Sequence, residues 1–304
     1  MRNCFIRLFL LVPAAVLFVS ALSAEGTGEF VGEPNGSILA GCGGAILRFD
    51  ESGAMVRRYD ENVGNMGDCH LLENGNILYA DAESAKEIAA DGTLLREWRD
   101  PDGGKGDYTF SVQRTADGGT VIGANSSNAI LEYDKDDNLI RRVPCAYLDK
   151  PGSHNNMRWA RKTPRGTYLV AQKSRGVIAE YDAKGRVLRK MEVPEHEVYG
   201  LAEVPGTEEV YGTFLDCVVR FDARGREVWR CTKEDLPGLD LTYICSIQIR
   251  KNGNLVLGNY AANRDGAHAV CMFEITPEKE VVWSYRDPDG PDSYLGVEVQ
   301  EPAP

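Results

Sequence analysis

A strand-and-turn motif recurs six times along the chain and constrains its fold more than any other feature. Each copy has a glycine turn, an apolar strand, a polar loop, a strand ending in an aromatic residue and Asp, another glycine turn and a last strand. Successive marker glycines are 39, 43, 48, 40 and 47 residues apart, at Gly36, Gly75, Gly118, Gly166, Gly206 and Gly253. Four short strands in a unit of roughly 40 to 45 residues is the period of a β-propeller blade.

The end of the chain completes the count of inner strands. Five of them precede marker glycines, at 68–72, 108–114, 157–162, 198–204 and 243–250, and the sixth is 294–300. We therefore predict an all-β fold, a single six-bladed β-propeller with four antiparallel strands per blade. The C-terminal strand should pair into the first blade and close the ring, because an open ring would leave an unpaired edge. Two stacked β-sandwiches are the alternative, since they also use short strands with regular turns.

The first 24 residues have the pattern of a signal peptide. Arg2 and Arg7 precede or flank an apolar run at 8–19, and small residues follow at 20–24. The run is shorter than the ~20 residues that span a bilayer. We predict a signal peptide at 1–24, with cleavage after Ala24 or, alternatively, after Ala21. Residues 25–304 should form the propeller without a membrane span, and the protein should be extracytoplasmic, either periplasmic or secreted.

Charge and cysteine content exclude several kinds of partner. The chain has 34 basic and 46 acidic residues, a net charge of −12, which argues against nucleic-acid binding. Seven cysteines follow the apolar run, and no Cys-x-x-Cys occurs, so we predict no metal site. These cysteines are either buried thiols or include one or two disulfides. A small molecule is the expected partner, with a protein partner as an alternative.

Two segments resemble a known repeat. Residues Asp222 to Trp229 and Tyr181 to Gly185 resemble the D-x-x-G-x-x-x-W units of quinoprotein-like (PQQ-repeat-like) propellers. The resemblance implies the fold but no particular function, because such propellers have unrelated activities. PQQ-dependent dehydrogenases of this superfamily generally have eight blades and a bound metal, so six blades argue against PQQ. We predict no cofactor.

The central funnel of one face is the predicted binding site. In a propeller, the loops entering the inner strands and those joining second to third strands share one end of the channel, here called the upper face. Two loops of this set, 143–156 and 258–269, are longer than turns require. All four histidines are expected in or beside this face.

The residue types expected there suit a small polar or anionic ligand, such as a carbohydrate. Each inner strand has a residue five positions before its marker glycine, and Glu298 is the equivalent residue of the last strand. The six residues are His70, Gln113, Arg161, Leu201, Gln248 and Glu298. Five of these six side chains are polar, and a structural hydrogen-bonded ring is the alternative role. The predicted ligand-binding residues are Asn155, Asn156, Arg161, Gln113, Tyr199, Gln248, Asn259 and Tyr260.

A second resemblance concerns 153–156, followed by Gly166 to Val170 and Tyr181-Asp182. This arrangement is similar to the His-x-Asn segment of arylsulfate sulfotransferases, which are exported six-bladed propellers that work through a sulfated histidine. The resemblance implies that His154 is the catalytic nucleophile and that His70 and His268 assist it. Either Arg158, the predicted catalytic arginine, or Arg161 would then stabilise the charged oxygens. A histidine-dependent enzyme is therefore the alternative to a ligand-binding propeller, and a protein-binding scaffold is a second alternative.

Overall fold

The computed structural model describes residues 28–60, 66–103, 108–145 and 153–301. These residues form six antiparallel sheets, the blades of a propeller, as the sequence predicts. The predicted signal peptide, 1–24, lies outside the described residues. Within the described part, no helix is long and apolar enough to cross a membrane.

The blades follow the chain in order. Blades one to three contain β2 (Ser37–Cys42), β3 (Ala45–Phe49), β4 (Met55–Tyr59); β5 (Met66–Leu71), β6 (Ile77–Asp81), β7 (Ser84–Ile88), β8 (Leu94–Trp98); and β9 (Thr109–Arg114), β10 (Thr120–Ala124), β11 (Ala129–Tyr133), β12 (Leu139–Pro144). Blades four to six contain β13 (Met157–Lys162), β14 (Tyr168–Gln172), β15 (Val177–Tyr181), β16 (Val187–Glu192); β17 (Val198–Glu203), β18 (Val210–Phe214), β19 (Cys217–Phe221), β20 (Glu227–Thr232); and β21 (Tyr243–Ile249), β22 (Leu255–Tyr260), β23 (Met272–Ile275), β24 (Val281–Arg286). Single 3₁₀ turns occur at Lys173–Arg175, Lys233–Asp235 and Arg264–Gly266.

The last strand, β25 (Tyr294–Gln300), is the inner strand of the first blade. It pairs with β2 from Ser37 opposite Gln300 to Cys42 opposite Tyr294. Its other side contacts β5, so the inner strands form an unbroken ring around the axis. The predicted closure by the C-terminal strand is confirmed.

A short strand at the N-terminal side, β1 (Glu29–Val31), was not predicted. It pairs with β24 and makes the sixth blade five-stranded. The Phe30 ring packs 4.6 Å from that of Tyr285 and 5.7 Å from that of Phe49. Three residues are too few to show a strand periodicity, and aromatic packing between blades holds this strand in place.

The D-x-x-G segments form the turns before the outermost strands. Asp222 accepts hydrogen bonds at Oδ1 from the backbone N–H groups of Arg224 and Arg226, both at 2.9 Å. Gly225 follows at φ 78°, in the left-handed region that glycine adopts without a Cβ penalty. The D-x-x-G motif, on which the resemblance to quinoprotein-like repeats rests, therefore forms a tight turn.

All seven cysteines in the described part are buried and unpaired. The first of the two alternatives for the cysteines, buried thiols, is the one observed. Burial raises the pKa of the Cys145 thiol to about 12, which keeps it protonated and unreactive at neutral pH.

Candidate functional site

The channel is divided into two compartments by Trp159. Its indole N–H donates to the Gly67 carbonyl at 2.8 Å, and the Arg161 guanidinium lies 4.2 Å from its ring centre. Trp159 lines both an upper pocket of about 40 Å³ and a lower cavity of about 790 Å³. The indole ring of Trp159 therefore lies between the two spaces.

The upper pocket lies between the inner strands near their first residues. The residues around it come from five blades: Met66, Gly67, Arg158, Trp159, Tyr199, Cys245, Tyr260 and Leu295. Of the predicted site residues, Arg158, Tyr199 and Tyr260 line this pocket. Its volume is room for about three water molecules.

Arg158 is the unusual group of the upper pocket. Its guanidinium lies 4.2 Å from the ring centre of Phe110 and 5.3 Å from that of Tyr199. The buried Nε has no hydrogen-bond partner, and no carboxylate of the described residues forms an ion pair with this side chain. Burial lowers the pKa of Arg158, but an arginine remains charged in proteins. Charges withdrawn from water are normally paired, but Glu197, the carboxylate whose charge acts on Arg158, is shared with Lys173.

A second cation, Lys173, lies at the edge of the same region. Its Nζ donates to Asn155 Oδ1 at 2.9 Å, lies 3.3 Å from Glu197 Oε2, and is 5.4 Å from the ring centre of Tyr199. Burial and the charge of Arg158 lower the pKa of Lys173. Two cations therefore face one carboxylate in a protein whose net charge is −12. No sequence motif marks Lys173, although it lies in a loop of the upper face, between the second and third strands of blade four.

His154 lies on the upper face beside these cations. Its imidazole is exposed, and its ring centre is 5.7 Å from that of Tyr108. Partial burial and the charges of Lys173 and Arg158 lower its pKa, so the imidazole is neutral at pH 7. A neutral imidazole has a free lone pair for binding or nucleophilic attack.

A row of tyrosines leads away from the pocket. The ring centres of Tyr199 and Tyr260 are 6.1 Å apart, and those of Tyr260 and Tyr243 are 6.2 Å apart. Tyr243 is 39% exposed, and Arg264 lies over Tyr260 and donates to its hydroxyl at 2.9 Å. The row connects the upper pocket with the surface of blade six.

Two predicted ligand-binding asparagines are bonded within the protein. Asn259 is fully buried; its Oδ1 accepts from Thr242 and Tyr243, and its Nδ2 donates to the Val270 carbonyl at 2.7 Å. Asn156 is also buried and donates to Asn128 Oδ1 at 2.8 Å. Both amides hold loops in place, whereas Asn155 orients the ammonium of Lys173.

The polar positions of the inner strands line the lower cavity. One residue of each inner strand, at the position counted from the marker glycines, lines this cavity. These residues are His70, Gln113, Arg161, Leu201, Gln248 and Glu298. The expectation that His70 shares the upper face with His154 is wrong. β5 begins at Met66 near the upper face and runs along the channel wall. His70, its fifth residue, is therefore near the lower end of the channel.

An ionic cluster forms the floor of the lower cavity. His70 Nε2 lies 3.1 Å from Asp68 Oδ1, its Nδ1 lies 3.6 Å from Glu298 Oε2, and Arg161 binds both oxygens of Asp68 at 2.7 and 3.0 Å. Burial alone would lower the pKa of His70, but Asp68 and Glu298 outweigh it and raise this pKa to about 9. Burial alone would raise the pKa of Asp68, but Arg161 and His70 lower it to about 2. His70 is therefore protonated at neutral pH.

The two glutamines of the ring connect neighbouring blades. Gln113 pairs with both backbone groups of Lys162, at 3.3 and 2.7 Å, and Gln248 pairs in the same way with Val299, at 2.9 and 2.8 Å. Each amide thus continues a hydrogen-bond ladder across a blade boundary. These hydrogen bonds favour the alternative role for the polar positions, a structural hydrogen-bonded ring.

The structure does not bring the three predicted catalytic histidines together. His70 lines the lower cavity, His154 is on the upper face, and His268 is exposed on the loop after β22 with φ 50°. The His268 carbonyl accepts a hydrogen bond from Arg286 at 2.7 Å. A catalytic centre with all three side chains is not present in the described residues.

One group of side chains has the composition of a metal site. His196 Nδ1 lies 2.9 Å from Asp216 Oδ1, and Cys217 is the third member of this group, which is the only one found among the described residues. Arg230 donates to Cys217 Sγ at 3.3 Å. Burial and the neighbouring carboxylates outweigh Arg230 and raise the pKa of this thiol to about 12, so the group does not offer a ready thiolate.

Comparison with solved structures supports the propeller. A protein of unknown function from Bacteroides caccae has a TM-score of 0.75 and 20% identity, with 86% of this chain and 98% of that chain covered. An inactive variant of virginiamycin B lyase from Staphylococcus aureus, solved with quinupristin, has a TM-score of 0.57 and 10% identity over 86% and 99% of the chains. The WD40 propeller domain of Doa1 has a TM-score of 0.55 and 18% identity over 73% and 72%.

At these identities the likeness shows the fold alone. No protein-family model and no curated protein matches the sequence. The resemblances to quinoprotein-like repeats and to arylsulfate sulfotransferases therefore gain no support from these searches. What the site can do must be argued from its own side chains.

Proposed function

We propose that this protein binds a small anionic ligand in the upper pocket and that Arg158 holds the ligand's negative charge. The observation that carries the proposal is the half-buried guanidinium of Arg158, which lies against two aromatic rings and forms no ion pair among the described residues. Glu197, the carboxylate whose charge raises the pKa of Arg158, is already paired with Lys173. Removing a charge from water is costly unless an opposite charge compensates it. An anion taken from solution would supply that compensation.

The size and lining of the pocket support an oxyanion group rather than a large ligand body. About 40 Å³ suits one carboxylate, sulfate or phosphate group. Met66 and Leu295 are apolar parts of the lining, and a charge-assisted hydrogen bond is stronger in less polar surroundings. A sugar acid, whose carboxylate would reach Arg158, is the carbohydrate that fits best.

The lower cavity is larger but is a weaker candidate for an anion. Its floor cations, His70 and Arg161, already face Asp68 and Glu298. An incoming anion would have to compete with these carboxylates. Charge compensation, and not cavity volume, therefore decides between the two compartments.

The compartment of the cell is a separate part of the proposal. We infer that the protein is exported, because 1–24 has the charge and length pattern of a signal peptide. Mass spectrometry of the protein from its native cells should give a mature N-terminus near residue 25. An N-terminus at Met1 would contradict the proposed cleavage and export. The proposal about ligand binding does not depend on this result.

The test of Arg158 is a calorimetric titration at constant ionic strength with sulfate, phosphate, acetate and glucuronate. At least one anion should bind wild-type protein at the upper pocket, and Arg158→Met should weaken it ten- to a hundredfold. Losing a hydrogen bond to a charged group costs about 1.5–3 kcal/mol, which corresponds to that range. Met keeps an unbranched apolar stem and removes the guanidinium that lies over Phe110.

The matched control is Arg224→Met, because Arg224 is an exposed arginine in the β19–β20 turn. It changes the net charge equally and should leave every affinity within twofold of wild type. If no anion of the panel binds wild type, or both variants lose affinity equally, the proposal is wrong.

A histidine-dependent transferase is the second candidate, and the neutral imidazole of His154 beside Arg158 favours it. Such an enzyme would here depend on His154 and Arg158 without His70 or His268. It predicts turnover of 4-nitrophenyl sulfate with a phenol acceptor that His154→Ala abolishes. Absence of turnover in wild type, with anion binding intact, would leave the ligand-binding proposal alone.

A further inference from the structure

We infer that the lower cavity is a second binding site, and that it takes an uncharged amphipathic molecule with hydroxyl groups at one end. The inference uses the side chains of this cavity and does not depend on the anion proposed for the upper pocket. The indole ring of Trp159 lies between the two compartments.

The walls of the cavity are mainly apolar. Aliphatic and proline side chains from blades one, four, five and six surround it: Pro164, Leu169, Leu201, Pro205, Ile247, Ile249 and Val297. Its volume of about 790 Å³ is in the range of sites for small organic molecules. A ligand body that buries an alkyl chain or a ring system against these walls gains hydrophobic stabilisation.

The floor of the cavity is charged but balanced. Protonated His70 and Arg161 carry two positive charges, and Asp68 and Glu298 carry two negative ones. At the rim, Arg165 lies 2.5 Å from Glu203 and Lys162 lies 2.6 Å from Glu132. Glu208, also at the rim, is exposed to solvent and forms no ion pair among the described residues. A charged ligand at the floor would break one of the floor pairs, whereas an uncharged ligand would not.

The floor still offers hydrogen bonds to a hydroxyl group. The side chains of His70 and Glu298 are 29% and 21% exposed. Glu298 accepts from Gln300 at Oε1 and from the Leu71 backbone at Oε2, which leaves further lone pairs of the carboxylate open. Hydroxyls both donate and accept, so they can bond with the carboxylate and with the imidazolium at once.

Octyl β-D-glucoside is a suitable probe because it joins several hydroxyls to an apolar chain. Calorimetric titration below its critical micelle concentration should show saturable binding to wild-type protein. D-Glucose has the hydroxyls alone and octanoate has the chain with a charge, and both should bind at least tenfold more weakly. Arg158→Met should leave the affinity for the glucoside unchanged.

Filling the cavity tests the location. Ala202 lines the cavity and is only partly buried, so Ala202→Trp adds bulk there with room for the backbone to stay in place. This variant should bind octyl glucoside at least tenfold more weakly. The control is Leu188→Trp on an outer strand, where Leu188 is 53% exposed, and it should bind like wild type.

Changing the floor charge tests the chemistry. Glu298→Gln leaves His70 and Arg161 with Asp68 as their one carboxylate, so the floor gains a net positive charge. The affinity for octanoate relative to octyl glucoside should then rise at least tenfold. Glu278→Gln, at an exposed turn, is the control and should leave the preference unchanged.

Three results would overturn the inference: no saturable binding of octyl glucoside to wild type, equal binding by Ala202→Trp, or an unchanged preference in folded Glu298→Gln. Circular dichroism of each variant establishes that it is folded. If Arg158→Met loses anion binding but keeps octyl glucoside binding, the two sites bind their ligands independently of each other.

Discussion

At the scale of single residues, two basic side chains of the channel differ in how they are compensated. Arg161 is held by both oxygens of Asp68. Arg158, three positions earlier on β13, lies against ring faces and forms no ion pair among the described residues, while the nearby Glu197 is paired with Lys173. Cation–π contacts offset part of the cost of burying a guanidinium. The remaining cost is what an anion would relieve, and this difference is the basis of the proposed function.

The ionic cluster at His70 predicts a pH-dependent stability. The pKa of His70 is about 9 in the folded protein, against 6.5 when unfolded. Its contribution is therefore complete below pH 6.5 and is lost as the pH rises through 9. His70→Gln should lower the free energy of unfolding by about 1–3 kcal/mol at pH 6 and by much less at pH 10.

Urea unfolding at pH 6, 8 and 10 measures this effect. The control is His268→Gln, because His268 is exposed and only its backbone carbonyl is hydrogen-bonded. That variant should differ from wild type by the same small amount at every pH. A loss in His70→Gln that is constant with pH would contradict the assigned charge of His70.

At the scale of elements, the glycine turns carry most of the information that made the fold predictable. Asn-Gly, Asp-Gly and D-x-x-G segments fix where each hairpin reverses, and the regular spacing fixes the number of blades. β1 escaped detection because its position depends on Phe30 packing against Phe49 and Tyr285, residues that are distant in sequence. Local patterns do not contain such contacts.

Two glycines at equivalent backbone angles should respond differently to substitution. Gly166 and Gly185 both have φ 81°, but only at Gly185 would a Cβ meet another blade, 2.3 Å from the Pro144 carbonyl oxygen. Gly166→Ala pays only for the left-handed backbone, about 1–2 kcal/mol. Gly185→Ala should cost about 1–3 kcal/mol more because of the clash.

Thermal and urea unfolding of the two variants give the comparison directly. Equal losses would mean that the turn of Gly185 can move away from Pro144 without cost. The blade boundary there would then be looser than the close approach indicates.

At the scale of the whole molecule, the sequence predicts the ring but not the division of its channel. Counting back from the marker glycines, and extending the count to the last strand, finds one residue on each inner strand that lines the lower cavity. The count works because the inner strands have nearly the same length, six or seven residues. The end of the channel near which His70 lies depends on where its strand, β5, begins. β5 begins at Met66, two residues before the predicted start of this inner strand. The barrier at Trp159 depends on a hydrogen bond to Gly67, far away in sequence.

The candidate site was therefore only partly predictable. Arg158, Tyr199 and Tyr260 could be found because they lie at the upper ends of inner and second strands. Lys173 and Phe110 could not, since their importance comes from contacts across blade boundaries. The roles of all these residues in binding stay predictions until an anion is observed.

The central claim is that Arg158 binds an anion in the upper pocket, and a crystal grown with sodium selenate tests it most directly. Selenium scatters anomalously, so an anomalous difference map locates the ion independently of the refined coordinates. We predict a peak within hydrogen-bond distance of the Arg158 guanidinium in wild type and none in crystals of Arg158→Met. Selenium peaks only at exposed arginines and lysines, with the upper pocket empty of the ion, would contradict the account.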